Sequence, residues 1–222
     1  MSSPESPGIP ARGNRYHHGD LRNALIQATL LLIEERGPNG FTLREAARRA
    51  GVSQAAPYRH FADKTALLVA VAQQGFETLA ERMENAMAAH LGELGDELRS
   101  AGRAYVEFAL ERPARYQIMF GSAVQGESVP KLDEASRRAF KLLVEAIVRG
   151  QEAGEVRPGD PVHFALTSWS LSHGLATLLI AGQIEGVDAD GVEGLALRHF
   201  EILEAGMGVD ASATSSTFDS EV

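Results

Sequence analysis

The sequence predicts an all-α protein built as two helical units in series. Three observations carry this. Apolar residues recur at three- and four-residue spacing along most of the chain. No segment alternates as a half-buried strand does. Helix start and stop residues fall where the apolar runs begin and end. With 222 residues, 44% of them hydrophobic, the chain can bury a sizeable core.

The elements follow in order. Residues 1–14 hold three prolines and no periodicity, which predicts a disordered arm. Arg12, Arg15, His17 and His18 make its end basic. Adjacent histidines with no cysteine or carboxylate cluster nearby make a poor metal site, so they read as a basic arm. From Asp20, the stripe Leu21, Leu25, Ala28, Leu32 predicts a helix that stops at Gly37. Thr42-Leu43-Arg44-Glu45 is a capping box opening a short helix to Ala50, and Gly51 allows a sharp turn. Ser53 is expected to cap another short helix, Gln54 to Phe61, with Pro57 accommodated in its first turn. Asp63 caps a long helix striped by Leu68, Phe76, Leu79, Met83 and Met87.

Beyond it, Leu98, Ala101, Tyr105 and Phe108 mark a helix ending at Pro113, and Tyr116 to Phe120 a short one. Residues 121–130 read as a loop. Leu132, Ala135, Ala139, Leu142 and Ala146 stripe a helix that ends near Gly154. A helix over 161–182 is apolar on nearly every side, which predicts burial in a bundle or a subunit contact. An amphipathic helix over 189–207 precedes a Ser/Thr/Ala tail, 210–222, expected to be disordered. The domains expected are therefore 15–77 and 78–209, between the arm and the tail.

Composition excludes several classes. With no cysteine, disulfides, thiolate metal sites and a cysteine nucleophile are absent. The N-terminus has no apolar core of a signal peptide, and no apolar run reaches the roughly 18–20 residues that span a bilayer. A cytoplasmic protein with no membrane partner is expected. The net charge of −9 is segregated: residues 1–65 hold nine Lys/Arg against six Asp/Glu, and the remainder twelve against twenty-four. That asymmetry fits a DNA-contacting segment carried by an acidic body, although acidic surfaces also serve simple solubility. No nucleophile elbow, phosphate loop, dinucleotide fingerprint or zinc-protease motif is present, so neither catalytic nor metal residues nor a cofactor are expected.

Two short helices around a glycine turn, behind a longer one, are the parts of a helix-turn-helix. Gln54 can bond base edges, while Ala55 and Ala56 permit close approach. Tyr58, Arg59 and His60 can reach phosphates. Periodicity alone leaves open a helical binding protein or an enzyme with such a unit. The run Phe41 to Ser53, followed by Pro57-Tyr58-Arg59-His60-Phe61 and Asp63-Lys64, resembles the helix-turn-helix of the TetR family over about residues 19–77. The resemblance implies phosphate contacts from Tyr58, His60 and Lys64, a place near the backbone for Thr42, and base reading at Gln54. The DNA-binding set expected is thus Thr42, Arg44, Ser53, Gln54, Ala55, Ala56, Pro57, Tyr58, Arg59, His60 and Lys64. Pro57 departs from the aliphatic residue many members carry there.

The stretches Arg112 to Phe120 and Trp169 to Gly174 resemble a C-terminal type of that family named for its Trp, His and Gly. The family implies a homodimer on a palindromic operator and release by a small-molecule effector, hence a repressor. Trp169 and His173, at i and i+4, share a helix face: either a pocket wall, or a packed Trp beside a His bonded to a backbone carbonyl. Tyr105, Phe108, Met119 and Phe120 are further lining candidates by residue type, each of a kind also common in cores.

Overall fold

A computed structural model describes residues 18–124, 126, 129–184 and 189–208. The arm over 1–14, the tail over 210–222 and the His17 part of the basic arm lie outside the described residues. Among them the secondary structure is helical: α1 (His18–Arg36), α2 (Leu43–Arg49), a 3-10 turn (Pro57–Arg59), α3 (Lys64–Ala88), α4 (Leu94–Glu111), α5 (Pro113–Phe120), α6 (Pro130–Glu152), α7 (Pro161–Ile180) and α8 (Ala189–Met207).

Local chemistry sets the boundaries. Gly37 ends α1 with φ 74°, and Gly51 turns the chain after α2 with φ 71°. The capping box forms: Glu45 N–H donates to Thr42 Oγ1 at 3.3 Å, and Thr42 N–H to Glu45 Oε2 at 2.9 Å. Asp63 Oδ1 caps α3 by accepting from Ala66 N–H at 2.8 Å. Proline opens α5, α6 and α7, where its missing N–H costs no helical bond.

One expected helix is not there. With Ser53 as cap, Pro57 is the fourth helical residue, whose N–H makes the first intrahelical bond. Proline has no such N–H. Instead Ala56 N–H bonds Ser53 O at 3.0 Å and His60 N–H bonds Pro57 O at 2.9 Å, both tighter i→i+3 closures. Pro57 takes the first position of a 3-10 turn capped by no side chain. Ser53 thus contributes a carbonyl rather than a cap.

Helix α3 is the axis of the fold, packing on α4, α5 and α6, while α4 also packs on α7 and α8. A single buried cluster runs from Leu25 to Met207. The boundary expected at residue 77 therefore falls within α3, a helix both units share. On α6 the inward residue is Leu143, with Leu142 half-buried. The apolar surface of α7 is only partly covered: Val162, Leu166 and Leu178 are exposed, as are Leu197 and Ile202 of α8.

Candidate nucleic-acid interface and the aromatic cleft behind it

The candidate reading surface is built by α2, the 3-10 turn and the start of α3. Two ion pairs brace it, Arg49–Glu35 at 2.6 Å and Arg36–Glu45 at 2.9 Å. Hydrogen bonds from Thr42, then Arg36, hold the Glu45 carboxyl below the usual carboxylate range. Phe61 is buried, with the Arg22 guanidinium 5.6 Å from its ring centroid, and Val52 packs against the same core. These contacts fix the base of the turn and leave its outer side polar.

On that outer side Arg44, Ser53, Gln54, Ala55, Tyr58 and Arg59 are exposed, and Thr42 as well. Ala56, His60 and Lys64 are half-buried. The Pro57 ring is buried, so it shapes the turn and offers no side chain to a groove. Lys64 rests its ammonium 4.4 Å from the Phe41 ring centroid, and burial lowers its pKa against the opposing pull of Glu45. Residues 46–62 contain three arginines and no carboxylate. The surface therefore presents an amide, a hydroxyl and cations around two small residues. That is the chemistry of backbone positioning combined with base-edge contact.

The body holds a second constellation. His173 Nδ1 lies 3.0 Å from the Tyr105 hydroxyl and 2.8 Å from that of Tyr116. Phe120 packs edge-on against His173 at 4.6 Å between centroids. Trp169 stands edge-on to Tyr105 at 5.5 Å and to Phe140 at 6.0 Å. Burial lowers the His173 pKa and raises those of both tyrosines. A neutral imidazole accepting at Nδ1 carries its proton on Nε2, an inference from the hydrogen bonding.

Beside this cluster opens a cleft of about 360 Å³, walled by Tyr116, Phe120, His173, Thr177 and Ile180. Of the sequence candidates, Phe120 and His173 line it. Tyr105, Phe108 and Met119 are buried core, Phe108 lying under the Arg82 guanidinium on the α3 side. Trp169 packs the cluster without lining the cleft. In place of the backbone carbonyl of the packed alternative, two tyrosine hydroxyls meet His173. Tyr116 was missed as a lining residue, although its i, i+4 spacing to Phe120 places both on one face of α5.

The buried imidazole has a pH consequence. Its pKa is depressed in the folded state, so the unfolded chain binds the proton more tightly. Stability should fall as pH drops below the ordinary histidine value of roughly 6.5, and that loss is complete below the folded pKa. Thermal melts of wild type and His173→Phe between neutral and mildly acid pH check this. The variant should show a shallower decline, and parallel curves would contradict the assignment.

Two family comparisons match this chain. The family described as "Bacterial regulatory proteins, tetR family" matches residues 25–71. "Tetracyclin repressor-like, C-terminal domain" matches residues 98–202. An HTH-type transcriptional regulator of Mycobacterium tuberculosis is 27% identical over 154 residues. That match covers 65% of this chain and 66% of the relative, just under two thirds of its length. A protein of unknown function from Rhodococcus sp. RHA1 superposes with TM-score 0.79 and 32% identity, covering 88% of this chain and 100% of that one. A tetR-family regulatory protein from Rhodococcus RHA1 shares the fold with TM-score 0.70 at 21% identity, over 86% of this chain and 98% of that one. The family matches define a helix-turn-helix DNA-binding transcriptional regulator. The chain belongs to the TetR family. Among the described residues no helix is long and apolar enough to cross a membrane.

Proposed function

We propose that the protein is a cytoplasmic, homodimeric repressor, acting by binding rather than catalysis, that leaves a palindromic operator when a small apolar molecule enters the cleft beside His173. The observation that carries this is the path of α3. The helix starts at Lys64 on the reading surface, and its Phe76 packs edge-on against Phe120 at 5.2 Å, inside the wall of the cleft. A rigid helix joining both sites converts a small displacement at the pocket into movement of the reading turn. Two such turns must match a groove repeat of about 34–36 Å, so a modest change in spacing loses one half-site. The effector should carry an acceptor oxygen, because Nε2 of His173 has no partner among the described residues. Residues 15–77 would form the reading unit and 78–209 the effector and dimer unit, sharing α3.

The DNA contacts are tested by two substitutions. Lys64→Ala removes a phosphate contact and should weaken binding to all sequences, lowering the salt slope by about one unit per protomer. Gln54→Ala should instead relax preference at one base pair per half-site, by roughly 1–3 kcal/mol. Operators selected from a random DNA pool, followed by salt titrations, separate the two. Variants that change specificity alike would refute the division of roles.

A further inference from the structure

A second cleft, of about 470 Å³, lies between α1 and the α4–α5 corner and shares no lining residue with the aromatic cleft. Its α1 wall is Gln27, Leu30, Leu31 and Glu34, and its other wall includes Arg112 and Arg115. Arg115 is the unusual member. The residue is only 4% exposed, and its Nε is buried without a hydrogen-bond partner. Among the described residues it forms no ion pair. Burial, and after it the positive charge of Arg112, push the guanidinium below its usual range. Glu111, which also lines the cleft, is already engaged by Arg82 at 2.7 Å. Glu34 across the cleft is exposed to solvent, where its charge is screened. The stem of Arg115 is held against α3, since a Cβ at Gly75 would sit 3.2 Å from its Cγ.

A buried guanidinium without a counter-charge is costly, and the cost is relieved by an anion that supplies acceptor oxygens in its plane. Leu30 and Leu31 provide the apolar surface for whatever body that anion carries. The volume is in the range of small-molecule sites.

We propose that this cleft is a second small-molecule site, selective for an organic carboxylate, with Arg115 taking the carboxylate and Leu30 and Leu31 the apolar chain. It goes beyond the His173 effector cleft, and its ligand would bridge α1 of the reading unit to α5 of the body.

The test is calorimetric titration of the DNA-free full chain with hexanoate, acetate and hexanamide. Hexanoate should bind at least about ten-fold more tightly than either control, since losing the charge or the chain forfeits an interaction of order 1.4 kcal/mol. Arg115→Met should cost about the same factor, and Arg115→Lys less, because lysine keeps the charge but not the fork. Leu31→Glu, at an exposed position of α1, supplies an internal carboxylate and should also displace hexanoate. It serves if Arg115→Met fails to fold. His173→Phe should leave hexanoate binding unchanged, so failure here is distinguishable from failure of the aromatic effector site. Absence of hexanoate binding, equal binding of hexanamide, or binding lost in His173→Phe and kept in Arg115→Met overturns the proposal.

Discussion

Gly102→Val is expected to cost about 3 kcal/mol, the upper part of the range for overpacking, and to lower the melting temperature by roughly 6–12 °C in a chain this size. Gly102 lies buried in α4 facing α8, and a Cβ there would land within the ring of Phe200. That ring is itself 2% exposed, enclosed rather than free to swing out into solvent. The small gain in helix propensity on replacing glycine does not offset such a collision. The strain is relieved by moving α8 away from α4. Since α8 displays Leu197 and Ile202, the same movement should break the proposed dimer. Sedimentation at micromolar concentration should give twice the chain mass for wild type and a shift towards monomer for the variant. Phe200→Ala in the Gly102→Val background should recover part of the loss, because the two residues contend for one space. An unchanged melting temperature in Gly102→Val would show that α8 does not depend on this contact.

The sequence was most readable where structure depends on neighbours along the chain. Thr42 with Glu45, Asp63 with Ala66, and the positive-φ glycines 37 and 51 sit where local rules place them. The 3-10 turn at Pro57 is also local, and it follows from the exact position of the proline rather than from its lying near a helix start. The first turn tolerates proline at its first position, whereas a Ser53 cap puts Pro57 fourth. The aromatic cluster was legible only in part. Trp169 and His173 are four residues apart, but the tyrosines that bond His173 lie 57 and 68 residues upstream, and only the packing of α4 on α7, with α5 against α4, brings them together. Arg115 shows the limit most clearly. In sequence it stands three residues after Arg112, in the first turn of a helix of mixed character, and nothing local marks it as buried while Arg112 remains exposed. Which arginine is enclosed depends on how α1 and α3 lie against α5, a tertiary fact.

Phe120→Ala is expected to destabilise the fold by roughly 2–3 kcal/mol and to uncouple the effector cleft from DNA. Complete burial of a phenylalanine sets a cost of about 3–5 kcal/mol for truncation to alanine, and Phe120 is only half-buried. Its ring packs against Phe76 on α3, Tyr105 on α4, Tyr116 on its own helix, and Trp169 and His173 on α7. Truncation leaves the reading surface intact, since that surface is braced by Phe61, Glu45 and Arg36 on other elements. Operator affinity without effector should therefore change little. What should be lost is the difference in effector affinity between free and operator-bound protein. Linkage requires that difference for release, and a typical coupling is about 1–3 kcal/mol. The measurement takes an effector found by thermal-shift screening and compares its affinity with and without operator, in wild type and in Phe120→Ala. Wild type should bind it more tightly when free of DNA, and the variant about equally in both states. Full coupling retained in a folded Phe120→Ala variant would place the route from cleft to DNA elsewhere than along the Phe120–Phe76 contact and α3.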